Sequence, residues 1–239
     1  MNSDDGKDRD DRMRTKIIYE DGDILVCEKP AGLAVQSARV SEPDMVSELK
    51  KYLAAGGGPP YLGVIHRLDQ PVSGLLVFAK KPGGAAKLSA QAAGGQMQKE
   101  YRAAVALPEG NPAQIGPGAF WECRDYLIKG TDGNAHVVSA GEKGAKEARL
   151  SCRCLQADGD RALLEIRLET GRFHQIRVQL AHIGMPILGD NRYGTAQSRA
   201  LSAGYGIRRI QLQAVSLCFY HPGTGKQVSY ELEEKLGLC

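Results

Sequence analysis

Two apolar runs too short to be helices, separated by a tight polar cluster, constrain this chain more than any other stretch. Leu62, Val64 and Ile65 lead in, and Leu75, Leu76, Val77 and Phe78 lead out. Between them stand His66, Arg67 and Asp69, closed by Pro71 and the Ser73-Gly74 pair. Short apolar runs bounded by Gly and Pro read as buried strands. The cluster is therefore expected at the mouth of a sheet, on a loop presented by a rigid scaffold. A carboxylate there is placed for chemistry, beside a cation that holds it ionised or binds an anionic substrate. The plain alternative is that Asp69 caps a turn before Pro71.

The rest of the chain extends this start into a mixed α/β pattern. Residues 16–19 and 24–27 flank Glu20-Asp21-Gly22-Asp23 as strand, turn and strand, and Lys29-Pro30-Ala31-Gly32 breaks the second strand. Ser41-Glu42-Pro43-Asp44 has the form of a capping box, followed by Met45, Val46, Leu49 and Leu53 at helical spacing and by a stop at Gly56-Gly57-Gly58. Residues 84–93 are Ala-rich and predict a helix, and the alternation of 99–105 predicts a strand. A Pro/Gly-rich loop over 108–120 leads to strands over 121–129, 135–140, 146–155 and 162–168. In the last of these Ala162, Leu164, Ile166 and Leu168 share a face. Consecutive strands joined by short turns argue for an antiparallel sheet.

A helix is expected from Phe173 to Ile183, with Gly184 at its C-terminal cap, Pro186 beyond, and Phe173, Ile176 and Leu180 on one apolar face. A hairpin is expected from 210–220 and 227–232, around His221-Pro222-Gly223-Thr224-Gly225.

Composition narrows the class. Of 239 residues, 42% are hydrophobic and 25% charged, a folded globular balance. No run approaches the roughly 18 apolar residues of a membrane span. The first residues hold no apolar core for a secretory signal, so the cytoplasm is the expected compartment. Residues 1–15 read as a disordered charged tail and 16–239 as one domain. The tail's five aspartates outweigh its four basic residues, leaving about +4 of the chain's +3 net charge on the body. That permits nucleic-acid binding without demanding it. Six scattered cysteines lack any Cys-x-x-Cys spacing and read as reduced structural thiols. His174 and His182, eight apart with no acidic ligand between, do not make a metal motif, and no dinucleotide fingerprint is visible. No metal, no cofactor and no obligate protein partner are expected.

Three motifs carry a family resemblance. His66-Arg67-Leu68-Asp69 with Ser73-Gly74 and Ala79-Lys80, then Lys99-Glu100-Tyr101-Arg102, then Thr170-Gly171-Arg172-Phe173-His174-Gln175-Ile176-Arg177 resemble the signatures of RluA-type pseudouridine synthases. The resemblance spans about residues 16–232 and includes Lys29-Pro30-Ala31-Gly32 and Gly189-Asp190-Asn191-Arg192-Tyr193-Gly194. Two departures, Val72 where relatives more often have Thr and Gln213 within Leu212-Gln213-Ala214, bear on substrate preference. Too few residues precede 16 for the S4 RNA-binding domain that many relatives carry.

The resemblance implies an α+β catalytic domain on a long, largely antiparallel sheet with flanking helices and a central cleft. It also implies an RNA isomerase acting on uridines of ribosomal or transfer RNA. Asp69 is then the catalytic carboxylate, Tyr101 stacks on the flipped base and Arg172 pairs with Asp69. Arg67 fills the vacated stack or grips the backbone. His66 lies in the binding motif, and Ile176 and Leu180 wall the pocket or simply pack the core. Against this stand an amphipathic helix with a solvated basic side, a non-catalytic RNA binder that kept the fold, and a glycoside hydrolase. The last needs two carboxylates about 5 Å apart if it retains configuration, and no second motif-borne acid is present.

Overall fold

The structure, a computed structural model, describes residues 13–37, 39, 42–54, 59–110 and 115–238. In chain order the elements are β1 (Lys16–Glu20), β2 (Ile24–Lys29), α1 (Met45–Ala54), β3 (Gly63–Val64), β4 (Ser73–Ala79), α2 (Pro82–Ala93) and β5 (Gln98–Ala106). They continue with β6 (Phe120–Lys129), β7 (Ala135–Val138), β8 (Lys146–Asp158), β9 (Arg161–Leu168), α3 (Gln175–His182), α4 (Ala196–Gly204), β10 (Leu212–Tyr220) and β11 (Gln227–Glu231). The expected α+β class, dominated by antiparallel strands, is what the chain forms. It divides into two compact units, one holding the described residues up to Met97 with Ser216–Leu232, the other holding Gln98–Val215 with the residues from Glu233.

In the first unit β2 runs antiparallel to both β1 and β4, with Leu25 opposite Phe78 and Cys27 opposite Leu76. Ile24, Leu25, Val26 and Cys27 are wholly buried, as a strand covered on both faces requires. Phe219 of β10 lies opposite Val228 of β11, which gives the expected hairpin. Ile24, Val26, Leu75, Val77, Leu88 and Phe219 share one core. The side chain of Gln91 on α2 mimics a neighbouring strand: Nε2 donates to the Tyr220 carbonyl at 2.8 Å and Oε1 accepts the Tyr220 N–H at 2.7 Å. The N-terminus of α1 is capped by Asp44, whose Oδ1 accepts the Ser47 N–H at 2.7 Å. The capping role expected of Ser41 and the stop at 56–58 lie outside the described residues, as do most of the expected tail and residues 111–114 of the loop. The first apolar run yields only the two-residue β3; Val64 and Ile65 stay half-buried.

In the second unit β5, β9, β8, β6 and β7 follow one another, every pair antiparallel. The expected one-sided face of β9 is exceeded. Ala162, Leu164 and Ile166 are wholly buried, but Leu163 is buried too, so both faces are covered at mid-strand. Cys152 and Cys154 share the buried face of β8, as period-two alternation predicts, and both thiols are free. α3 starts two residues later than expected, and Phe173 lies outside it, 40% exposed, so the apolar face reduces to Ile176 and Leu180. The amphipathic alternative fails because Gln175, Arg177 and Gln179 are buried as well. α4 is an additional helix. Among the described residues no helix is long and apolar enough to cross a membrane.

Candidate active site

In the first unit the loop between β3 and β4 holds His66, Arg67 and Asp69. Arg67 is exposed, His66 and Asp69 are half-buried, and the flanking Leu68 and Val72 are buried. These two apolar side chains anchor the loop on either side of Asp69. The Asp69 carbonyl accepts the Val72 N–H at 3.0 Å, so the turn expected before Pro71 exists and is closed by the backbone. The imidazole of His66 reaches back to the Val77 N–H at 3.5 Å, a long contact.

The first residue of the family-like, strand-breaking Lys29-Pro30-Ala31-Gly32 segment holds this turn. Lys29, fully buried at the end of β2, donates from Nζ to the carbonyls of Pro30 (3.1 Å), Leu33 (2.6 Å) and Gln70 (2.8 Å). Gln70 is clasped a second time, its carbonyl accepting the Gly32 N–H at 2.9 Å and its Nε2 donating to the Gly32 carbonyl at 3.3 Å. Gly32 makes this possible at φ +87°, where a side chain would be strained. Burial lowers the Lys29 ammonium to about 8, against the pull of the Asp69 carboxylate, which favours its charge. The residue following Asp69 is thus fixed by a buried cation.

In the second unit Tyr101 sits on β5 opposite Ile166 of β9 and is buried. Two residues before it, desolvation lowers the pKa of the half-buried Lys99, and a Cβ on Gly171 would come within 4.0 Å of its ammonium. The Lys-x-Tyr segment therefore reaches the Thr170-Gly171-Arg172 turn. Arg172 is exposed, with Nε donating to the Glu147 carbonyl at 2.8 Å. Gln175 organises this turn: its Oε1 accepts from Thr170 Oγ1 (2.8 Å) and Arg172 N–H (2.9 Å), and its Nε2 donates to the Arg149 carbonyl (3.0 Å). Leu180 is wholly buried and Ile176 is 5% exposed.

The turn ends in His174, whose φ of 52° makes it the one non-glycine residue in the left-handed region among those described. Its Nδ1 lies 2.8 Å from the Tyr193 hydroxyl, and its ring stacks on Phe173 at 3.7 Å. That hydroxyl also accepts the Ala135 N–H at 2.7 Å, which ties His174 to the start of β7. One turn on, buried Arg177 forms a two-point ion pair with Asp190. No role for Lys29 or Arg177 is legible from sequence: Gln70 lies 41 residues from Lys29 and Asp190 lies 13 from Arg177.

One described group of side chains has metal-ligand composition. Donor atoms of Asp21, Asp23 and His221 lie within 4.8 Å of one another. The group is saturated from within. His221 Nδ1 accepts the N–H groups of Gly223 and Thr224, so its protonated Nε2 donates to Asp21 Oδ2 at 2.9 Å. Asp23 Oδ1 takes the Lys81 ammonium at 2.9 Å. The cluster is a clip between the β1–β2 and β10–β11 turns.

The sequence profile of RNA pseudouridylate synthases matches residues 23–182. The chain is 34% identical over 225 residues to the ribosomal large subunit pseudouridine synthase D of Zymomonas mobilis, covering 91% of this chain and 68% of that protein. It is 29% identical over 214 residues to the ribosomal large subunit pseudouridine synthase C of Vibrio cholerae, covering 89% of this chain and 63% of that protein. Its fold matches human RNA pseudouridylate synthase domain containing 4 with a TM-score of 0.71 at 21% identity, covering 91% of this chain and 88% of the other. The chain belongs to the RNA pseudouridylate synthase family, and its chemistry is that of an isomerase acting on RNA. It spans 63–68% of the length of these two bacterial relatives.

Proposed function

We propose that this chain converts specific uridines of ribosomal or transfer RNA to pseudouridine, with Asp69 as the catalytic carboxylate. The observation that carries the assignment is the rigid presentation of Asp69. It stands on a turn anchored by Leu68 and Val72, and the next residue is gripped by buried Lys29. A functional group held this way needs little reorganisation during reaction.

The reaction breaks the bond from ribose C1′ to uracil N1 and forms one from C1′ to C5. The C5 hydrogen leaves as a proton and N1 gains one, so atoms and charge balance without a cofactor. Asp69 acts by attacking the sugar, abstracting a sugar proton or adding to the ring; each route needs an ionised carboxylate. Arg172 is the proposed counter-ion in the RNA-bound enzyme. The uridine leaves its stack to expose the bond, and Tyr101 stacks on the flipped base. Exposed Arg67 fills the vacated place or grips a phosphate, His66 steadies the loop, and Ile176 and Leu180 back the base pocket. The enzyme works in the cytoplasm without an obligate protein partner, in keeping with its free cysteines.

RNA tritiated at C5 of uridine tests this directly. Each isomerisation releases one tritium, since the C5 hydrogen is lost when the carbon bond forms. Wild type should release tritium, and Asp69→Asn should bind the same RNA without releasing it. Normal release by Asp69→Asn would sink the assignment.

A further inference from the structure

The formal charge of the chain is +3, and one short segment accounts for all of it. Between Gly189 and Ile210 stand Arg192, Arg199, Arg208 and Arg209 against a single acid, Asp190, so the rest of the chain sums to zero. Asp190 turns inward to Arg177, and the four arginines are exposed. The segment lies beyond residues 23–182 matched by the family profile.

It also folds around a cavity of about 340 Å³, lined by Gly189, Asn191, Ser198, Arg199, Ser202 and Arg208 among others. The floor is satisfied. Ser202 Oγ donates to the Ser198 carbonyl at 2.6 Å and accepts the Gly189 N–H at 2.9 Å, and Ser198 Oγ donates to the Thr195 carbonyl at 3.1 Å. Recognition therefore falls to the rim. There Arg199 stands on α4, with one Nη2 donation to the Asn191 carbonyl at 3.2 Å setting its guanidinium. A guanidinium carries five N–H donors, so this bond leaves most of them for a ligand. Arg208 lines the same cavity from the chain just after α4.

The two ends of the segment are fastened together. Gly189, at φ +73°, packs so tightly on the Arg209 carbonyl that a Cβ would not fit, and Gln211 N–H donates to the Leu188 carbonyl at 2.9 Å. The arginines thus rim a fixed concavity.

Two guanidiniums over an open cavity, with its one carboxylate already neutralised, suit a phosphodiester. We propose that this cavity is a subsite for the RNA backbone, seating a phosphate between Arg199 and Arg208. The inference rests on the RNA reading above and adds to it residues that take no part in the chemistry. Contacts of this kind set affinity and its salt dependence while leaving turnover of bound substrate unchanged.

The test uses the full chain and a fluorescein-labelled single-stranded RNA of mixed sequence, with Kd measured from about 50 to 200 mM salt. The double variant Arg199→Ala with Arg208→Ala should bind about tenfold more weakly at the lower end of that range. The slope of log Kd against log salt should fall by about 0.7, the value for one lost phosphate contact on a single strand. Its tritium release at saturating RNA should match wild type. Lys50→Ala with Lys51→Ala removes the same charge from exposed positions on α1 and should leave the slope unchanged. An unaltered slope in the arginine variant, or an equal loss in both pairs, overturns the subsite while a tritium-releasing wild type keeps the RNA reading intact. A wild type that neither binds RNA nor releases tritium overturns both.

Discussion

Arg177 and Asp190 meet at two points, Nε to Oδ2 at 2.7 Å and Nη2 to Oδ1 at 2.8 Å, with side chains only 7% and 1% exposed. The same carboxylate accepts the N–H groups of Arg192 and Tyr193 at 2.9 and 3.2 Å. One buried acid therefore ties α3 to the turn that opens the arginine-rich segment.

Removing that acid should be costly. Asp190→Asn is expected to lose about 3–5 kcal/mol in urea unfolding at neutral pH, the usual result of breaking a buried pair from one side. Burial pushes the carboxyl up, but Arg177 and the two N–H donors outweigh it and hold the group below its usual 3.8. Its stabilisation is thus fully present above 3.8 and is lost as pH falls through the lowered folded value. The gap between wild type and variant should narrow in that acid range; a gap independent of pH would contradict the account.

Lys29 gives a dependence of the same sign in an alkaline window. Lys29→Met removes the donor to three carbonyls and should cost about 2–3 kcal/mol. Its folded value near 8 lies below the ordinary 10.5, so from about 8 upward the unfolded chain holds a proton that the folded chain has shed. Wild-type stability relative to the variant should therefore rise with pH across that window and be flat below it. Unfolding measured at successive pH values decides, and a fall across the window would count against the buried cation. Because Lys29 grips Gln70, the variant should also lose turnover more than RNA affinity.

His174 tests the left-handed turn. His174→Gly and His174→Ala both lose the Tyr193 hydrogen bond, but only Gly takes φ near 52° without strain. The Gly variant should be more stable than the Ala variant by about 1 kcal/mol in thermal or urea unfolding. Equal stabilities would mean that the turn relaxes freely.

Legibility from sequence followed locality. β2 and β4 were readable because runs such as Leu75-Leu76-Val77-Phe78 carry their burial in composition. α4 was not, since Ala196–Gly204 has Leu201 as its one large apolar residue and no stripe. Its cap on Thr195 and its buried serine hydroxyls appear only in three dimensions. The same holds at the site. Asp69 announced itself between two apolar runs, but the grip of Lys29 on Gln70 spans 41 residues. Arg177 stands in the third motif with no role legible from sequence, because Asp190, thirteen residues on, is what allows its burial.

The central claim, that Asp69 converts uridine in RNA, is tested most directly in a strain lacking this gene. Pseudouridines in total RNA would be mapped after complementation with wild type or with Asp69→Asn. The account predicts at least one position modified with the wild-type copy and unmodified with Asp69→Asn. Modification restored equally by both copies would contradict it.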